Sequence, residues 1–562
     1  MSRIDGITLA VIANNMQWAT EEMNTYLTKS AFSSNIKVRK DCSCALYDRG
    51  GNIVAQGTFI PVHLGIMAQT LKELLKRHPV ETIREGDALI HNNPYMMGSH
   101  LFDIMIFTPV FFEGEIIAFA GSLAHHVDVG GNPISYVSKT LYEEGVIIPG
   151  LKIMRENVLQ EDLISFITAN VRTPYEFRGD MMAQLAACAR GDVRIKSLAK
   201  KYGRENLLEY FSALLDYSEN GMRAAIRAQP NGCYSFEDKL EIDGPAHRDR
   251  SIRTKVTIGD EDITVDFDGS DIPGEYGYNA PPSVTYSAVY YSIKAILGSD
   301  VPTNAGAYRA IHIKFPEYTS IINAQMPSAI AGCNCMPAQR ICDVVIGAFS
   351  RLIPERVCAC DGHWNAISLV GNDPRINRNF SYVETYGAGR GAKYNEDGAN
   401  AHQTHMTNTA NAPAEIIELE HPFRVERYAL LPDTGGAGKY RGGLGMVREL
   451  TCLTDTNVSI ITGRPFTGTY GLDGGQPGGT DYASVTPPGG KPERSISGVA
   501  VRAGTTVTIT TSGGGGYGNA AERDHQLIEW DLLNGYISAE AARRDYGVEL
   551  DPETSKIVYR QS

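Results

Sequence analysis

Apolar and polar positions alternate along this chain with two periods, and the places where the period changes divide it into segments. Residues 5–30 (DGITLAVIANNMQWATEEMNTYLTKS) carry apolar side chains at helical spacing, and NIKVRKDCSCALYDRGGNIVAQG after them reads as two strands turned at Arg-Gly-Gly-Asn. PVHLGIMAQTLKELLKRHP predicts a helix stopped at Pro79. Two apolar runs, LFDIMIFTPVFF (101–112) and IIAFAGSLA (116–124), flank Glu-Gly-Glu and predict a β-hairpin. Between 158 and 227, apolar residues return every third or fourth position, the pattern of helices packed on a core. Pro230-Asn-Gly marks a boundary, and from Cys233 to Gly269 the period drops to two, which predicts antiparallel strands. Helical patterns return at 284–297 and 336–353, and beyond about residue 415 the chain turns strand-rich and glycine-rich, with a short helix SAEAARRDYG near its end. The expected fold is α+β and multidomain. Residues 1–230 form a helical and hairpin region that binds metal, 231–415 a mixed middle, and 416–562 a β-rich region whose glycine loops are expected at subunit contacts.

The hairpin carries the most specific chemistry. His100 and Asp103 open its first strand, and His125 and His126 close its second. With the turn centred on Glu113–Gly114, residues whose numbers sum to about 227 face each other, which sets residue 125 opposite 102 and beside Asp103. A carboxylate inside so apolar a run must be paired or coordinated, because desolvating it alone is costly. Two neutral imidazoles and a carboxylate, with positions left for water, suit a catalytic zinc, manganese or iron ion. Adjacent strand residues point to opposite faces, so only one of His125 and His126 is expected as a ligand. The plainer alternative makes His100 a loop residue and leaves His125 and His126 bonded to backbone.

Composition narrows the classes. A chain of 562 residues exceeds one compact core, and 21% charged with 43% apolar residues is ordinary for a globular enzyme. A formal charge of −13 argues against nucleic acid or an anionic membrane as partner. No apolar run approaches the ~20 residues of a membrane helix, and MSRIDGITLAVIANN does not read as a secretory signal, so a cytoplasmic location is expected. The ten cysteines are spread along the chain, and the Cys-x-Cys pairs at 42–44, 333–335 and 358–360 read as small apolar residues with reduced thiols rather than as zinc knuckles. SGGGGYG lacks the Gly-Lys-Ser/Thr ending of a phosphate loop, and GAGRGA (387–392) lacks the strand and acidic residue of a dinucleotide site. ATP is therefore not expected on this chain. In AHQTHMTNTANAP (401–413), His402 and His405 are read first as substrate contacts, with structural hydrogen bonds or a second metal pair as alternatives.

In order along the chain, DCSCALYDRGGNIVAQG, IPVHLG, NNPYMMGSHLFDI, AHHVDVGG, YEEGVIIPGLKI and ITANVRTPYEFRGDMMAQ resemble the hydantoinase B/oxoprolinase family. The resemblance continues through QRICDVVIGAF, YVETYGAGRGA, HQTHMTNTANAPAE and SAEAARRDYGV, and so covers nearly the whole sequence. It implies one subunit of an ATP-dependent hydrolase of cyclic amides of the lactam, hydantoin or oxoproline type. The alternative it implies is a subunit of an acetone or acetophenone carboxylase. It also implies a hydantoinase A-like partner of actin-like fold that binds the ATP, an (αβ)2 hetero-oligomer, and divalent-metal ligands at His100, Asp103 and His125 with Asp41 as a fourth. In the mechanism expected from this set, the partner phosphorylates the carbonyl, the cation activates water, and His126 or Asp128 orients a ligand or relays the proton. The chain departs from the family pattern at Asn93, where Asp is common, and at Met97, where Gly is usual. His91 ahead of them is unusual as well, and is expected near the pocket.

Overall fold

The computed structural model describes residues 4–57, 59–132, 135–241, 248–494, 498–549, 551 and 557–558. Its architecture is α+β and multidomain, with four sheets among the described residues. The first sheet holds β1 (Cys42–Asp48), β2 (Ile53–Gln56), β3 (Ala88–His91), β4 (Asp103–Phe112), β5 (Glu115–His125), β6 (Leu151–Arg155) and β7 (Val158–Leu159). Their order is β2-β1-β5-β4-β3-β6-β7, antiparallel throughout.

Strands β4 and β5 are buried along most of their length, which is why they read as continuous apolar runs rather than as alternating ones. One face is covered by the helices Gly6–Ser30 and Pro174–Tyr202. The first is capped by Asp5, whose carboxylate accepts from Ile7 and Thr8 N–H. The second reaches the sheet through Gln184, which donates to Ile104 O at 2.8 Å, and through Cys188 beside Ser122.

The hairpin turn is made by Glu113 (φ 53°) and Gly114 (φ 80°), a two-residue turn with both residues left-handed, matching the twist of the strands it joins. Next to the turn the pairing follows the expected sum: Phe112 faces Glu115 and Phe111 faces Ile116. An irregularity between Val110 and Phe111 then shifts the register by one, so His125 faces Asp103 and not Phe102.

The second sheet contains the expected antiparallel strands Gly232–Leu240, Arg250–Ile258 and Ile263–Asp266, with Ile311–Lys314 added in parallel. Residues 242–247 of that segment lie outside the described residues. The helix Met336–Phe349 packs on this sheet and is buried at every position. A third sheet joins Asn365–Asp373, Arg378–Tyr386, Thr456–Ile461 and Val499–Val501, and a fourth is built from five strands between Phe423 and Thr510. Ile367, Tyr382, Leu450 and Val507 belong to the core between these last two.

The glycine loops pack backbone on backbone against one another within the chain. A Cβ on Gly443 would lie 1.9 Å from Ala399 O, and one on Gly513 would lie 1.8 Å from Thr434 O, so no side chain fits at either position. The close approach that the glycines allow is made by the chain's own loops. All ten cysteines are free, and the three Cys-x-Cys pairs are buried. Among the described residues no helix is long and apolar enough to cross a membrane.

Candidate metal centre

Register alone brings three of the expected side chains into one row. Strand β5 pairs with β4 on one side, Asp103 against His125, and with β1 on the other, where Cys42 faces Ala124. One step beyond that pair, His125 N–H donates to Asp41 O at 3.1 Å, so Asp41, His125 and Asp103 lie side by side across three strands. His100 comes from the turn ahead of β4. Its Nε2 lies 3.2 Å from Asp103 Oδ1, and His125 Nδ1 lies 3.4 Å from the same oxygen and 3.7 Å from Asp41 Oδ2.

Every other polar atom of the central pair is engaged. Asp103 Oδ2 accepts from Ser99 Oγ and, at 2.8 Å, from Asn334 Nδ2. His100 Nδ1 donates to Ala331 O at 2.9 Å, which leaves Nε2 as the nitrogen with a free lone pair in the neutral ring. The backbone of Ile330 and Ala331 is itself held by Glu144, whose Oε1 accepts from Ile330 N–H at 2.6 Å and Ala331 N–H at 2.8 Å. What remains is His100 Nε2 and Asp103 Oδ1, both buried and both without a hydrogen-bond partner. Two acceptors turned on each other in a buried place are unfavourable unless a cation or a proton lies between them.

Charge follows the same geometry. Burial opposes the Asp103 carboxylate, yet the neighbouring imidazoles outweigh it and hold its pKa well below the usual carboxylate value. Burial likewise opposes an imidazolium at His100, and Asp103 with the Ala331 carbonyl outweighs it, raising that pKa. His100, Asp103 and His125 offer ligand atoms within 4.8 Å of one another. This donor set fits a divalent cation of the zinc, manganese or iron class.

A second cluster with metal-ligand side chains, Asp238, Asp343 and Cys360, is of another kind. Arg464 Nη2 lies 2.6 Å from Asp238, 3.2 Å from Asp343 and 3.0 Å from Cys360 Sγ, and Arg340 pairs with Asp238 at 2.7 Å. Guanidinium groups supply the positive charge there.

A small cavity of about 40 Å³ opens onto the first cluster, lined by Asp41, His63, His100 and His125 and closed by Arg39, Trp364 and Met406 among others. That volume has room for a water molecule beside the ligand atoms. Sequence reasoning missed four of its determinants. His63 follows the IPV of a quoted motif, and its Nδ1 is tied to Ser43 Oγ at 2.8 Å on the face that Asp41 shares. Burial lowers its pKa and keeps the ring neutral. Ser99, Asn334 of the Cys-Asn-Cys triplet, and Glu144 fix the ligands. Their one sequence signal was to stand inside segments already singled out for other reasons.

The two residues expected to relay protons are placed elsewhere. His126 points to the opposite face, where its Nε2 contacts Gln184 Oε1 at 3.0 Å and its ring lies on Phe177, because strand neighbours alternate. Asp128 pairs with Arg172 at 2.5 Å and accepts from its N–H. Neither reaches the cavity. His91 does not line it either. That ring is buried with both nitrogens unpartnered, and desolvation pushes its pKa down to about 4. His405 reaches Asp361 at 3.2 Å and Tyr291 at 3.4 Å, while His402 stays exposed, so these two do not form a pair.

The structure thus presents a buried histidine and carboxylate cluster at one end of an antiparallel sheet. Residues 5–520 match the family model described as Hydantoinase B/oxoprolinase, and the chain belongs to that family. It is 38% identical to the uncharacterized protein MJ0963 of Methanocaldococcus jannaschii, over 97% of this chain and 96% of that one. It is 32% identical to caprolactamase subunit beta of Pseudomonas jessenii, over 98% of this chain and 97% of that one. Among solved structures, the ATP-dependent caprolactamase from Pseudomonas jessenii superposes with a TM-score of 0.91 at 29% identity, covering 98% of this chain and 97% of that one. A nucleotide-free acetone carboxylase structure also gives 0.91, at 19% identity, covering 99% of this chain and 82% of that one, which shows a shared fold.

Proposed function

We propose that this chain is the metal-binding subunit of an ATP-dependent hydrolase of cyclic amides, acting on a carbonyl that a hydantoinase A-like partner subunit has phosphorylated. The observation that carries this reading is the pair of orphaned buried atoms, His100 Nε2 and Asp103 Oδ1, facing His125 and Asp41. Family membership and the 32% identity to a caprolactamase subunit support the reaction class.

An unstrained lactam resists hydrolysis because amide resonance makes its carbonyl a poor electrophile. Phosphorylating the carbonyl oxygen removes that obstacle, and this chain, with no phosphate loop of its own, leaves the step to a partner. Asp41, His100, Asp103 and His125 would hold the cation, which supplies Lewis acidity toward water and a carbonyl oxygen. Ser99 and Asn334 fix Asp103, and Glu144 through Ala331 fixes His100, so the ligand atoms keep their direction. The burial of His100 and Asp103 strengthens the charge interactions between them. His63 Nε2, with Nδ1 tied to Ser43, is the ring nitrogen placed to move a proton at the cavity wall.

Ketone carboxylation is the second reading, and the acetone carboxylase likeness supports it at the level of fold. Reconstitution with the partner separates the two. ATP-dependent ring opening of a cyclic amide is expected, whereas incorporation of labelled bicarbonate into a ketone, without ring opening, would overturn the hydrolase reading.

A further inference from the structure

We propose that a second pocket, lined by the same 402–409 segment that reaches the metal centre, binds a phosphoryl group through Arg390. The pocket has a volume of about 360 Å³ and is lined by Tyr291, Arg356, Arg390, Lys393, His402 and His405 among others. Successive parts of one segment line the two cavities: His402 to His405 line this one, while Met406, Thr407 and Thr409 line the metal cavity. His405, at the junction, adopts a left-handed φ of 49°.

Three observations point to an anion. The chain as a whole carries a net charge of −13, yet this concavity gathers Arg356, Arg390 and Lys393 around one carboxylate, Asp361. That carboxylate is already engaged, by His405 at 3.2 Å and by Gly391 N–H at 2.6 Å. Lys393 is paired with Glu396 at 2.6 Å, while the half-buried Arg390 guanidinium is attracted by Asp361 and Glu396 without coming within hydrogen-bond or ion-pair distance of any described residue.

The glycine loops explain why this guanidinium sits where it does. Arg390 N–H donates to Ala399 O at 2.9 Å, and its carbonyl accepts from Gly443 N–H at 2.7 Å. A Cβ on Gly514 would fall 2.1 Å from that carbonyl. The backbone is clamped from both sides, and a charge held by its backbone loses less freedom on binding than a side chain on a mobile loop. An unpaired planar donor fork on a rigid base suits the tetrahedral oxygens of a phosphoryl group.

The phosphoryl group has two sources, and naming either rests on the function proposed above: the activated substrate arriving from the partner, or the phosphate released after hydrolysis. Calorimetric titration of the full chain with inorganic phosphate, methyl phosphate and acetate tests the site. Saturable phosphate binding is expected, weakened roughly tenfold or more in Arg390→Ala and partly restored in Arg390→Lys. Methyl phosphate competing with phosphate assigns the site to the esterified group, and phosphate binding alone assigns it to the released ion. No saturable phosphate binding, equal affinity in Arg390→Ala, or equal competition by acetate would overturn the proposal. Metal content measured on the same samples keeps this outcome apart from the metal centre, since Arg390→Ala is expected to retain its metal.

Discussion

His100 Nε2 and Asp103 Oδ1 face each other at 3.2 Å, buried and without any other hydrogen-bond partner. On the proposed function, the residues around this pair divide into those that would supply ligand atoms and those that would aim them. Removing an aiming group is expected to weaken metal binding by roughly 10–100-fold without abolishing it, so Asn334→Ala should raise the metal dissociation constant by that factor in a chelator competition assay. His126→Ala should leave metal affinity unchanged and lower stability instead, because that ring packs on Phe177 and Gln184. An equal loss of metal in both variants would mean that the two faces of β5 are not distinguished as described. The aiming residues were not legible in the sequence for a physical reason. Asn334 meets Asp103 across 231 positions, and no local spacing records a contact of that range. His63 was passed over because a helical apolar pattern gives no sign that its first residue turns toward a ligand row.

At the level of elements, the hairpin was the most legible part. Two continuous apolar runs and the Glu-Gly-Glu turn located the strands and set the register to within one residue. The remaining residue came from the irregularity beside Val110, which no side-chain pattern announces. Asp41 was suggested only by resemblance, and its place beside His125 follows from β1 pairing on the other edge of β5, a long-range register that no short motif encodes. The glycine loops were expected at subunit contacts, and the backbones that approach them in the structure belong to the chain's own loops, a long-range packing that no local motif records. Gly443→Ala would drive a methyl to within 1.9 Å of Ala399 O, so a loss of at least about 2 kcal/mol is expected in chemical denaturation. A neutral result would show that the loops yield more readily than their packing implies.

For the molecule as a whole, buried histidines set the response to acid. Burial pushes His91 and His421 down to about 4 and His363 to about 3. A histidine held neutral in the folded state takes up its proton near 6.5 once unfolded, so between pH 6.5 and about 4 the unfolded chain binds more protons and stability falls as pH falls. The slope these histidines contribute is therefore positive with pH across that window, and Glu144, whose carboxyl burial raises to about 8, offsets part of it with the opposite sign. His91 alone contributes about 3 kcal/mol across it. His91→Phe should flatten the curve in thermal unfolding measured from pH 7 to 4.5, and an unchanged slope would remove His91 from the account.

The measurement closest to the central claim is elemental analysis of the purified chain beside its Asp103→Asn variant, both prepared without chelator. The account predicts about one tightly held divalent transition-metal ion per wild-type chain, and its loss from a variant that stays folded. Wild-type protein that turns over cyclic amide with its partner while holding less than about half an equivalent, or a variant that keeps the full complement, would contradict it.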